Sequence, residues 1–120
     1  MEKVIVVEGI SDKTRIAPLI AEPVTILCTN GTVSATRLEE MLLPFEGQDI
    51  IILVDADASG DKLRKLIKRE FPEARHFHID RSYKEVATTP LRKLIDVLIA
   101  ADVQVLNPVA GNDYYERMDT

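Results

Sequence analysis

The stretch that most limits what this chain can become runs from Ile50 to Gly60, IIILVDADASG. Five apolar residues, Ile50 to Val54, carry no polar alternation and are mostly β-branched. Such a run reads as a strand buried on both faces, the kind found in parallel sheets covered by helices. It ends on Asp55-Ala56-Asp57, with Ser59 and Gly60 close behind, before a charged, helix-patterned segment from Asp61 to Phe71. Open α/β sheets bind ligands beyond the carboxyl ends of their strands. Two acids therefore stand where such a fold places its chemistry. Side chains alternate along extended backbone, which puts Asp55 and Asp57 on one side and Ala56 on the other. Two hard oxygen donors at one strand end suit a Mg2+-class cation.

The flanking sequence repeats the strand–helix alternation. Val4 to Val7 is a buried strand ending on Glu8-Gly9. Ser11 and Asp12 are a credible helix start, and Ile16, Leu19 and Ile20 are the buried positions, with Pro18 breaking the pattern. Val24 to Cys28 is the second strand, followed by a Thr29-Asn30-Gly31 turn and a helix over roughly Val33 to Leu43, burying Leu38, Met41 and Leu42. After the Ile50 strand, Leu63, Leu66, Ile67 and Phe71 form one helical stripe, with Lys62, Arg64, Lys65, Lys68 and Arg69 on the other faces. Arg75 to Ile79 is a fourth strand carrying Asp80 at its end. Thr89-Pro90 reads as cap and first position of a last helix that buries Leu91, Leu94, Ile95, Leu98 and Ile99. Val103 to Leu106 is expected as a short fifth strand. The pattern is α/β: a three-layer sandwich around a mainly parallel sheet of four or five strands, Rossmann-like, in one domain over residues 1–108 with a polar tail at 109–120.

Composition narrows the partners. Fifteen basic against 20 acidic residues give a net charge of -5, too acidic for indiscriminate coating of nucleic acid. An acidic metal site that acts on phosphates remains compatible, because the cation supplies the positive charge. The lone Cys28 excludes an internal disulfide and reads as a core thiol, which fits a reducing cytoplasm. No apolar run approaches the ~20 residues of a membrane helix, and no basic-apolar leader is visible. His76 and His78 alternate on one strand face and do not complete a zinc site.

Four acids fall at strand ends: Glu8, Asp55, Asp57 and Asp80, with Asp12 a fifth beside strand one. If strands one and three are neighbours, Glu8 meets Asp55 and Asp57, and right-handed crossovers give the order 2-1-3-4. Carboxylates that close repel unless a cation or shared proton neutralises them. Glu8 then acts either as a further ligand or as a general acid/base.

VVEGISD at Val6 to Asp12 and DADASG at Asp55 to Gly60 resemble the two signature motifs of the Toprim domain. That domain is shared by bacterial primases, topoisomerases, OLD-family nucleases, RecR-type repair proteins and a ribosomal-RNA maturation nuclease. The resemblance covers about residues 3–100. It implies that Asp55 and Asp57 are the metal-binding pair and Glu8 the strand-one acid, catalytic or metal-binding. It matches Asp12 to an acid seen in primases, and Gly9 and Gly60 to the turn glycines. The maturation nuclease also shares the Asn30-Gly31 turn and a Lys and Arg beyond the second motif, here Lys62 and Arg64. These could position a phosphate backbone, or simply solvate a helix face. The chain is shorter than that nuclease, and nothing in it supplies the nuclease's extra RNA-binding region. It also has no primase zinc module, and Tyr114 and Tyr115 sit in the polar tail, away from any nucleophile's place.

The function this implies is phosphoryl transfer on nucleic acid using Mg2+, with Mn2+ an acceptable substitute: a nuclease in RNA processing or DNA repair, or a primase-like phosphotransferase. The competing reading is a non-catalytic Toprim module that works with a partner protein. In either case a protein that supplies substrate recognition is an expected partner besides RNA or DNA. A phosphatase or a phosphorelay receiver would allocate its acids to different strands.

Overall fold

The computed structural model describes residues 2–31, 33–80 and 82–106. The end of the expected domain at 108 and the tail with Tyr114 and Tyr115 lie outside the described residues. Four strands, β1 (Lys3–Val7), β2 (Val24–Cys28), β3 (Asp49–Leu53) and β4 (Arg75–Phe77), form one parallel sheet in the order β2-β1-β3-β4. This is the expected order. The helices are α1 (Ile10–Ile16), α2 (Ala35–Leu42), α3 (Ala58–Glu70) and α4 (Leu91–Ala100).

The unbroken apolar strands are explained by two cores, one on each face of the sheet. Val4, Val6, Ile50, Ile52 and Val54 pack with Leu38 and Leu42 of α2 and Leu63 and Ile67 of α3. Ile5, Val7, Ile51 and Leu53 pack on the opposite face with Ile16 of α1 and Leu94, Ile95 and Leu98 of α4. Successive strand residues thus serve alternate cores, and each fully buried side chain contributes about 1.5–3 kcal/mol.

Several boundaries differ from expectation for identifiable reasons. Gly9, not Ser11, is the N-cap of α1, because the Asp12 carboxylate reaches back to the Gly9 N–H at 2.9 Å. Pro18 turns the end of α1 into a 3-10 turn, Ala17–Leu19. Pro44 does the same after α2 at Leu43–Phe45, leaving Leu43 exposed and Met41 only half-buried. Helix α2 starts at Ala35 because the Ser34 hydroxyl accepts from the Arg37 N–H at 3.1 Å. Thr89 does not cap α4. Its hydroxyl donates to Glu85 O at 2.7 Å within the preceding 3-10 turn, Val86–Thr88, and Pro90 takes the N-cap position. Ile99 is 45% exposed, one position past the buried stripe. Strand β4 ends at Phe77, although Ile79 still enters the core.

The fifth strand does not form among the described residues. Gln104–Leu106 instead runs antiparallel to the irregular segment at Leu19–Ala21, through one bridge between Ile20 and Val105. A bidentate ion pair ties the other end of the fold: Arg75 donates to both Asp49 oxygens at 2.8 and 2.7 Å and to Ala101 O at 2.9 Å.

Candidate metal and phosphate site

Parallel pairing fixes which acids meet. Val6 of β1 is level with Ile52 of β3, so Glu8 comes level with the residues just beyond β3. There its Oε1 accepts a hydrogen bond from the Asp55 N–H at 2.8 Å. Glu8 itself is held on the other side, where its carbonyl accepts from Asn30 N at 2.7 Å. Asn30 and Gly31 both take positive φ, 58° and 99°, which turns the chain sharply away from β2 and exposes the turn beside Glu8.

Each acid of the DxD pair is fixed by a backbone donor. Asp55 Oδ1 accepts from Val86 N at 2.8 Å, and the adjoining Ala56 N donates to Lys84 O at 2.6 Å. Asp57 is the N-cap of α3, its Oδ1 accepting from Gly60 N at 2.8 Å. Helix α3 therefore starts three residues earlier than the charged segment suggests. Gly60 is not a turn residue, in contrast to the expectation from its motif. It lies in the first turn of α3, buried, where a Cβ would come within 2.0 Å of Asp55 O. The strand end and the helix start can touch only because this residue has no side chain. Gly9, by contrast, is extended backbone with room for a Cβ.

Burial pushes Glu8 above the usual carboxylate range, against the hydrogen bond from Asp55, and repulsion from Asp55, Asp57 and Asp12 adds to it. Burial also raises Asp55, with repulsion from Asp12, Asp57 and Glu85 contributing. These are the electrostatics of a site short of positive charge. The donor set of three carboxylates suits a hard divalent cation. One oxygen of each is held by a backbone N–H, and the second has no hydrogen-bond partner among the described residues. Among the described residues no three acid, His or Cys side chains already stand in a coordinating arrangement, so a cation would have to draw these carboxylates together.

The other expected site residues divide. Glu8, Gly31 and Lys62 line one cavity of about 230 Å³ with Val33, Ser59, Leu63 and Leu66, so Lys62 shares that hollow with the strand-one acid. Asp12 is buried at the start of α1, close enough to raise Glu8 and Asp55. Asp80 is exposed and organises its own turn, accepting from the N–H and hydroxyl of Ser82 at 2.9 and 2.8 Å. It is not among the carboxylates that raise Glu8 or Asp55.

Arg64 corrects the sequence reading outright. It is 5% exposed and points inward, donating to Val54 O at 3.2 Å and Phe77 O at 2.6 Å and approaching His76 Nδ1 at 3.3 Å. It ties α3 to the ends of β3 and β4 and is no phosphate contact. Because Arg only donates, His76 Nδ1 accepts and its proton sits on Nε2. Burial, then the Arg64 charge, lowers the His76 pKa to about 4.

Sequence reasoning missed the contribution of the 83–86 loop. Val86, the one aliphatic branched residue in a largely polar stretch, is fully buried, and its N–H fixes Asp55. Nothing periodic marks it. Arg64 did leave a signal: it falls four residues after Gly60 and three before Ile67, within the inward stripe.

Residues 3–84 match the Toprim domain. The chain belongs to the Toprim domain family. Among similar proteins, "Uncharacterized protein YusF" of Bacillus subtilis (strain 168) is 53% identical over 105 residues, spanning 88% of this chain and 72% of that protein. Ribonuclease M5 of the same strain is 32% identical over 76 residues, 63% of this chain but 40% of the nuclease. Ribonuclease M5 of Fusobacterium nucleatum is 30% identical over 81 residues and matches over 44% of its own length. The Toprim chain thus spans less than half of these nucleases. A solved small TOPRIM domain protein from Bacillus stearothermophilus superposes with a TM-score of 0.85 at 52% identity, covering 88% of this chain and 90% of that one.

Proposed function

We propose that this Toprim protein is a divalent-cation-dependent nuclease, Mg2+ being the natural ion and Mn2+ a working substitute, with structured RNA as its favoured substrate. The observation that carries the reading is the hydrogen bond from the Asp55 N–H to the Glu8 carboxylate, which joins the strand-one acid to the DxD pair. The ribonuclease M5 relatives support action on RNA, and the single Cys28 suits a reducing cytoplasm. No helix among the described residues is long and apolar enough to cross a membrane.

In this reading Asp55 and Asp57 hold the cation. When bound, the cation neutralises the phosphate and stabilises charge that develops on its oxygens. Glu8, raised by burial, is suited to take a proton from the attacking water or return one to the leaving oxygen. Lys62, on the wall of the adjoining cavity, orients a neighbouring phosphate, and the Asn30-Gly31 turn borders its path.

The test is cleavage of structured RNA and single-stranded DNA with Mg2+ or Mn2+. Asp55→Asn and Glu8→Gln should each reduce the rate at least about a hundredfold while circular dichroism stays unchanged. Cleavage that persists in both variants overturns the proposal. Wild-type binding of RNA without cleavage supports the competing reading, a Toprim binding module. That reading draws on the absence of a ready-made coordinating trio among the described residues.

A further inference from the structure

A second concavity lies at the opposite edge of the sheet. It occupies about 390 Å³ between the carboxyl ends of α2 and α3 and the start of β3. Its apolar wall includes Leu43, Ile50 and Phe71, and its acidic lining is Glu39, Glu46, Glu70 and Glu73. Leu43 is 52% exposed, a large apolar side chain left open to solvent. Gln48 also lines it, and its Oε1 is buried without a hydrogen-bond partner among the described residues. An acceptor in that state seeks a donor.

The charge here runs against helix electrostatics. Glu39 and Glu70 lie in the last turns of α2 and α3, where the backbone dipole disfavours anions. Arg69 offsets Glu70 through a 3.1 Å ion pair. No ion pair is formed by Glu39, Glu46 or Glu73 among the described residues. Two helix carboxyl ends and this set of glutamates therefore focus negative potential on an apolar hollow. Phosphates would be repelled from it, which excludes it as an extension of the nucleic-acid path.

We infer that this concavity docks a basic segment of a partner protein, one that inserts a leucine- or phenylalanine-like side chain between lysines or arginines. The apolar side chain fills the hollow against Leu43 and Phe71, the cations meet the glutamates, and a backbone or side-chain N–H satisfies Gln48 Oε1. Since β3 separates this edge from Asp55 by roughly 17 Å of strand, the docked partner leaves the acid site open.

The probe is a fluorescein-labelled hexapeptide with leucine and phenylalanine flanked on each side by arginine and lysine, followed by anisotropy at low and moderate salt. Saturable binding that weakens as salt rises is expected. The combined variant Glu39→Gln, Glu46→Gln and Glu73→Gln should bind at least about tenfold more weakly. Leu43→Ser should also lose several-fold, and Glu40→Gln, on the outer face of α2, should match wild type. The idea fails if the triple variant binds as wild type does, or if a peptide with glutamates in place of the basic residues binds equally. Spermine matching the peptide would make this a polyamine site and overturn the partner assignment. So would a dimer in sedimentation that Leu43→Ser dissociates, or no saturable binding at low salt.

Discussion

A methyl group at residue 60 would have to share space with the Asp55 carbonyl oxygen, 2.0 Å away, and that oxygen belongs to backbone that cannot swing aside. Gly60→Ala should therefore separate α3 from the end of β3, costing about 1–3 kcal/mol in urea denaturation and removing metal-dependent cleavage. Asp55→Asn should do the reverse to stability. Its amide oxygen can still accept from Val86 N, while a half-buried, repelled charge is gone. A small gain in the metal-free protein, limited by solvent screening of this half-buried group, with cleavage lost, is the expected outcome in urea denaturation. His76 sets an acid-side limit. The unfolded imidazole protonates near 6.5 and the folded one only at about 4, so the unfolded state takes up the proton first as pH falls. Stability should be full above 6.5, decline toward 4 and then level, by about 1–2 kcal/mol once solvent screening is allowed for. His76→Gln should flatten that slope in denaturation curves taken across the range. At this scale the meeting of Glu8 with Asp55 was readable, because neighbouring parallel strands deliver the residues beyond their carboxyl ends to one edge of the sheet. The inward turn of Arg64 was marked only by its spacing from Gly60 and Ile67, a signal outweighed because a charged residue next to Leu63 is normally assigned to water.

Among the elements, α3 does the most to join the site to the fold. Its N-cap is Asp57, its first turn presses on Asp55, and its second turn sends Arg64 across to β3 and β4. Arg64→Met would leave the Val54 and Phe77 carbonyls without that donor and is expected to cost about 2–4 kcal/mol in urea unfolding. Arg64→Lys should recover little, since a single ammonium cannot reproduce the planar fork. The strand order was legible because the crossover rule leaves few ways to bring Glu8 beside Asp55. The misplaced helix starts share one cause. Side-chain hydrogen bonds of Asp12, Ser34 and Asp57 decide where α1, α2 and α3 begin, while that of Thr89 is used in the turn before α4, and several residues near each start are chemically able to make such bonds. The missing fifth strand has a different origin. Val103 and Val105 have strand-like composition but reach the protein beside Leu19–Ala21, before β2 begins.

For the molecule as a whole, the acids at the carboxyl edge are a standing electrostatic cost in the absence of a cation, so loading should appear as stabilisation. Mg2+ or Mn2+ at a hundred times its dissociation constant should raise unfolding free energy by about 2.7 kcal/mol, and the increment should vanish in Asp57→Ala. Differential scanning fluorimetry across a Mg2+ titration reads this without a substrate. Helices cover both broad faces of the sheet, so a nucleic acid acted on as proposed would approach along the strand ends, over Glu8, Lys62 and the Asn30 turn. The cap on α3 adds a further consequence. The amide proton of Gly60 is held by the same carboxylate that a cation would claim. An ion bound as proposed can take the second oxygen of that carboxylate and steady the side chain that caps the turn, so slower deuterium uptake at a single backbone position would report its loading.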